Sequence, residues 1–154
     1  MRTSNQRGFT LIELMVVVIV IGILAAIGVA NYSSMRNRAK VASVKNNMHS
    51  INLAAEDFAT RNAGIYPTNA ASVTADGGFT LVGLLPSGTL PVNPFTNAVT
   101  GLTWGAASGT PYGGADAAGG IQFNAWSTSG AATDSYEIAG EDEVGALTFI
   151  LSNQ

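Results

Sequence analysis

Along the first part of the chain the apolar positions are continuous rather than periodic. No charged residue occurs from Leu14 to Ala30, and Phe9–Ile12 extend the run to roughly the 20 residues a helix needs to cross a hydrocarbon core. From Tyr32 the pattern turns one-sided without a break. Val41, Val44, Met48, Ile51, Ala55 and Phe58 recur every three or four residues, with Arg38, Lys45, His49 and Asn52 off that stripe. No proline interrupts the chain before Pro67. The pattern predicts one helix from Phe9 to about Asn62, a rod about 80 Å long at the α-helical rise. So long a rod cannot bury every face against the remainder of the chain, and other copies must cover the rest.

Gly64 is placed to cap the helix and Pro67 to stop it. The Gly- and Pro-studded stretch "GGFTLVGLLPSGTLPVNPFTN" then reads as a connection holding one short strand around Phe79–Val82, with Pro91 and Pro94 stiffening the crossing. "GLTWG", "GGIQFNAWST", "SYEIAG" and "GALTFILS" are four strand candidates separated by Gly, Ser and Asp. Ile121, Phe123 and Ala125 alternate with Gln122, Asn124 and Trp126; Leu147, Phe149 and Leu151 alternate with Thr148 and Ile150. The expected fold class is α+β: a long N-terminal helix packed by its 41–58 stripe on a small antiparallel sheet. The organisation follows as a polar leader (1–8), a hydrophobic helix (9–31), an amphipathic continuation (32–62) and a Gly-rich β head (63–154).

Charge refines this picture. All 7 Lys and Arg lie at or before Arg61; beyond it stand only acids, namely Asp76, Asp116, Asp134, Glu137, Glu141, Asp142 and Glu143. A basic middle and an acidic tail favour head-to-stalk contact between copies. The basic residues do not interleave with aromatics, so nucleic acid binding is not expected. With 0 Cys, neither a disulfide framework nor a thiolate metal site is possible.

Glu13 is the anomaly. It sits near the start of the apolar run, where a carboxylate in hydrocarbon needs a partner, yet no Lys or Arg occurs between Phe9 and Met35. Two readings compete for residues 1–30. One is a secretory signal peptide cut after Ala30 at "GVA", which would release a soluble binding module. The other is a retained anchor that loses only its polar leader. The apolar run exceeds the usual core of a signal peptide, and a charge inside such a core serves no purpose.

"RGFTLIELMVVVIVIGILAAI" closely resembles the N-terminus of type IV prepilins and of the pseudopilins of type II secretion. The resemblance covers about 25 residues. It implies cleavage between Gly8 and Phe9 by a prepilin peptidase, methylation of the new Phe9 amine, and storage in the bacterial inner membrane with the N-terminus cytoplasmic. It further implies homo-polymerisation into a helical filament on an inner-membrane platform driven by a motor ATPase. The filament would be an extracellular pilus or, alternatively, a periplasmic pseudopilus. Glu13 then acquires its partner, the cationic Phe9 amine of a neighbouring copy. The chain departs from the family at Ala30, where a proline is common. Gly22 and Gly28 remain as weak points in the helix, but melting between Gly22 and Ala30 loses its usual cause.

The head carries less chemistry. "SYEIAGEDEVG" gathers Glu137, Glu141, Asp142 and Glu143 near Asp134, a candidate calcium loop by its oxygen donors, although its spacing is not that of an EF-hand. A solvated acidic turn accounts for the same residues. The resemblance implies a calcium near the C-terminus in the major pseudopilin and, in many pilins, a disulfide that this chain cannot form. His49 is the only histidine and falls on the helix flank, and "GGADAAGG" lacks the strand-before, helix-after setting of a phosphate loop, so no catalysis is expected. Trp104, Tyr112, Trp126 and Tyr136 read as packing residues, with an adhesive surface as the alternative.

Overall fold

The computed structural model describes residues 8–99, 101–105, 118–127 and 133–153. The chain divides into two units, Met1–Arg38 and Ala39–Gln154. One helix, α1 (Leu11–Arg61, 51 residues), runs from the first into the second. Its length follows from the absence of proline, and it stays helical through Gly22, Gly28 and Ala30. With alanine at position 30 and no proline in that stretch, nothing removes an intrahelical hydrogen bond there. The C-terminus is close to expectation: the Gly64 N–H returns to the Ala59 carbonyl at 2.8 Å. The left-handed turn begins one residue earlier than Gly64, at Ala63 (φ 54°), and continues through Gly64 (φ 82°).

Within the second unit the stripe does what its spacing requires. Val44, Met48, Ile51, Ala55 and Phe58 are buried, joined by Asn47, Ala54 and Ala59, which widen the face. Val41 is only half-buried, since it lies at the edge of the packed region. The four strand candidates all form: β1 (Leu102–Gly105), β2 (Ile121–Trp126), β3 (Ser135–Glu141) and β4 (Ala146–Ser152), in spatial order β1-β2-β3-β4. β2–β3 and β3–β4 are antiparallel, but β1 runs parallel to β2, with Trp104 opposite Phe123. Residues 106–120 separate these two strands, about the length a parallel return needs where a tight hairpin does not. The sheet is therefore mixed.

Two local expectations fail for physical reasons. Phe79–Val82 is not a strand. Thr80 turns the chain, its Oγ1 accepting from the Gly83 N–H (3.2 Å) and its carbonyl from the Leu84 N–H (3.2 Å), so a short 3-10 turn forms at Val82–Leu84. Gln122 and Asn124, which alternate with the core residues of β2, are buried as well. Gln122 Nε2 donates to Asn124 Oδ1 at 2.7 Å, which offsets part of their desolvation.

The helix meets the sheet at a glycine. A Cβ built on Gly140 would lie 2.8 Å from Met48 Sδ and 3.1 Å from Val44 Cγ1, so β3 approaches α1 as closely as it does only because residue 140 has no side chain. The strand register also shifts between Ala139 and Glu141. Farther along β3, the Tyr136 hydroxyl reaches both Glu56 Oε1 (2.7 Å) and the Asn52 amide, while Tyr66 donates to Glu56 Oε2 at 3.1 Å. Tyr136 has one proton, which goes to the carboxylate; Asn52 is satisfied when turned to donate its NH2. Tyr136 stacks on Phe123 (5.5 Å, 5°) and contacts Tyr66 (4.6 Å). Burial first, then the Glu56 carboxylate, push the ionisation of both tyrosines upward.

Gly140→Val should cost about 1–3 kcal/mol by overpacking, measured by denaturant unfolding of the purified chain. Tyr136→Phe should cost roughly 1–3 kcal/mol by stranding Glu56 and Asn52. The two tyrosines hold their protons more tightly folded than unfolded. Stability is therefore expected to be intact below pH about 10 and to fall as pH climbs above it, and Tyr136→Phe should flatten that alkaline decline.

Candidate assembly site

The anomalous carboxylate has a local partner that its neighbours in sequence provide. Thr10 is the residue before α1, and Glu13 is the third residue within it. Glu13 Oε2 accepts from the Thr10 backbone N–H (2.9 Å) and from Thr10 Oγ1 (2.8 Å), while the Glu13 N–H reaches back to Thr10 Oγ1 (3.3 Å). This is a reciprocal capping box, Thr-x-x-Glu, which satisfies free N–H groups at the helix start. The carboxylate also sits at the positive end of the helix dipole. The motif is legible in the sequence as Thr10 three residues before Glu13. Both Thr10 bonds to the carboxylate end on Oε2, so the arrangement leaves Oε1 for a further donor.

Around this cap every side chain is open. Phe9 is 77% exposed, and a Cβ at Gly8, Gly22 or Gly28 would touch nothing within 4 Å. The described residues of the apolar helix are exposed from Leu11 to Val29. Leu11, Leu14, Met15, Val18 and Ile19 line a shallow apolar groove. Their i, i+3, i+4, i+7, i+8 spacing is that of the socket which receives a side chain from another helix. The helix is long and apolar enough to cross a membrane by length and composition.

The candidate calcium ligands do not converge. Among the described residues no three acidic or imidazole side chains are grouped as a metal site. Glu137 faces solvent in part from the middle of β3, Glu143 is exposed, and Asp142 Oδ1 is occupied by the Val144 (2.7 Å) and Gly145 (3.1 Å) N–H groups. Glu141 is buried, with Oε2 unpartnered. Asp134 stands just before β3, near Ser135. His49 packs against Phe149 (5.7 Å). Tyr136 is a core residue, while Trp104 and Trp126 are half-buried, Trp104 against Phe123 (5.4 Å); Tyr112 and most of "GGADAAGG" lie outside the described residues.

Substitutions separate the two jobs of Glu13. Glu13→Gln keeps the capping box, which accepts Gln at that position, but removes the charge; Thr10→Ala keeps the charge and loses about 1 kcal/mol of capping. If charge pairing between copies matters, Glu13→Gln and Glu13→Ala should both deplete assembled filament with cleavage intact, and Thr10→Ala should deplete it less. Immunoblots of sheared and cell-bound fractions measure all three.

The model of the prokaryotic N-terminal methylation motif matches residues 3–29. The chain is 48% identical over 54 residues to the type IV major pilin protein PilA of Myxococcus xanthus, covering 35% of this chain and 24% of that one. It is 39% identical over 75 residues to type II secretion system core protein G of Pseudomonas aeruginosa, covering 49% and 52%. Type IV major fimbrial protein FimA of Dichelobacter nodosus is 56% identical over 41 residues, covering 27% and 26%. The chain thus spans from about a quarter to about half the length of these curated relatives. No solved structure matches it significantly. The capping box, the Gly8-Phe9 dipeptide and the apolar run from Leu11 to Val29 all fall within the residues that the methylation-motif model matches.

Proposed function

We propose that the chain is a structural filament subunit, a type IV pilin, stored in the inner membrane and polymerised through its hydrophobic half-helix. The observation that carries the reading is the exposed apolar surface of Leu11–Val29 with a carboxylate fixed at its start. In the membrane, lipid covers that surface. On assembly the neighbouring helices cover it, and the gain comes from packing and from pairing charge rather than from leaving water. A prepilin peptidase cuts between Gly8 and Phe9, the freed amine is methylated, and the Phe9 amine of one copy meets Glu13 of the next. The Thr10 cap holds Glu13 at the helix start and leaves one oxygen open, so the pair forms without rearranging the first turn. The platform and its motor ATPase supply the work of extraction. No catalytic role is assigned to the head.

The type II pseudopilin reading has a specific point in its favour. The match to core protein G covers 75 residues, about half of each chain, whereas that to PilA covers 54, about a quarter of PilA. Release as a soluble module after Ala30 is disfavoured because α1 continues through Asn31 without a break.

Deleting the gene should abolish surface filaments and twitching while leaving export of secreted enzymes intact. Loss of export with pili retained would replace the pilin reading by the pseudopilin one.

A further inference from the structure

Two arginines follow closely on the apolar run of α1. From Leu14 to Ala55 there is no acidic residue, while Arg36, Arg38, Lys40 and Lys45 all lie in that stretch. The head engages the two lysines: Lys40 rests over the Phe95 ring at 4.8 Å and Lys45 over the Phe149 ring at 5.1 Å. Arg61 is paired with Asp57 (2.9 Å) and Asp76 (3.3 Å). Among the described residues Arg36 and Arg38 have neither an ion pair nor a ring partner, and both are exposed.

Their position along the helix indicates what they meet. Tyr32, which is 71% exposed, lies about 4–5 Å beyond Val29 along the helix axis, Arg36 about 10 Å and Arg38 about 14 Å. Where the run to Val29 crosses the hydrocarbon, a headgroup layer of roughly 5–8 Å follows it. Tyrosine settles at that depth. Helical side chains leave the backbone toward the N-terminus, so both arginines lean back toward the bilayer and reach it by their length. At 3.6 residues per turn the two stand about 200° apart around the helix. A one-sided protein partner would meet only one of them, whereas headgroups surround a spanning helix.

We propose that Arg36 and Arg38, with Tyr32 beside them at the interface, form a collar that binds the phosphates of anionic phospholipids in the leaflet where the helix emerges. A guanidinium takes a phosphate through two parallel N–H···O bonds, and no neighbouring acid in the sequence competes for it. The collar rests on the reading that the subunit is stored in a membrane, and adds to it a fixed depth for the span. Headgroup contacts are electrostatic and reversible, so extraction into a filament gives them up without breaking a packed interface.

The chain has no Cys, so Asn31→Cys places one fluorophore just beyond the apolar run. The labelled full-length protein is reconstituted in vesicles of phosphatidylcholine mixed with phosphatidylglycerol, one lipid or the other carrying brominated acyl chains as quencher. Brominated phosphatidylglycerol should quench more strongly than brominated phosphatidylcholine at equal mole fraction. Arg36→Gln and Arg38→Gln should each lower that preference about fivefold. Arg36→Lys combined with Arg38→Lys should retain most of it. Equal quenching by the two lipids, or a preference that survives the double glutamine substitution, would overturn the collar and leave the filament reading standing. No quenching by either lipid would place residue 31 outside a bilayer and overturn membrane storage together with the collar.

Discussion

The structure depends on an apolar helical surface that its own chain does not cover. Burying a Val, Leu or Ile side chain contributes about 1.5–3 kcal/mol, and such residues make up most of the exposed run from Leu11 to Val29. Surface ion pairs contribute about 0–1 kcal/mol each, so burial by lipid or by other helices decides where this segment resides. Charge has a different task. Lipid and a helix bundle are both apolar, and in the proposed filament a carboxylate tells them apart because only the bundle would bring a counter-charge. The capping box fits that division of labour, since it fixes the position of Glu13 at the helix start while one oxygen stays available.

The head solves a separate problem, holding a mixed four-stranded sheet on a single helix without disulfides. It does so by close approach and by buried polar links. Gly140 lets β3 come against Met48 and Val44, and Glu56 gathers two phenols from Tyr66 and Tyr136. The segment after the helix is tied to the β2–β3 connection by paired bonds between Tyr66 and Thr133, each 2.8 Å. The crossing loop is fastened by two asparagines: Asn47 Nδ2 donates to the Val92 carbonyl (3.0 Å), and Asn93 Nδ2 to the Ala118 carbonyl (2.9 Å). These contacts let a Gly-rich, sparsely charged body present loops of defined shape.

Periodicity made the helix, its buried stripe and all four strands readable in advance, because burial on one face imposes a spacing that no local detail alters. Direction and connection were less legible. Alternation in "GLTWG" is the same for a parallel as for an antiparallel partner, so the β1–β2 pairing could not be read from it. The Phe79–Val82 run looked like a strand because its apolar residues dominate, whereas the Thr80 hydroxyl decides its conformation. Buried Gln122 and Asn124 broke the rule that polar residues face water, since each supplies the other's partner. At the candidate assembly site, Gly8, Phe9 and Glu13 stood out through the resemblance to prepilins, but Thr10 did not, because threonine in an apolar run reads as neutral filler. The acidic tail suggested a metal loop by composition; among the described residues its carboxylates serve a turn, a strand and a buried position, and no three of them are grouped.

The central claim is that the helix from Phe9 onward is retained and enters the filament with its carboxylate and a new amine at one end. Mass spectrometry of the native protein's N-terminus tests this most directly. The account requires a chain that begins at Phe9 with a methylated amine. A mature chain that begins at Asn31 would lack both the amine and Glu13, and would contradict it.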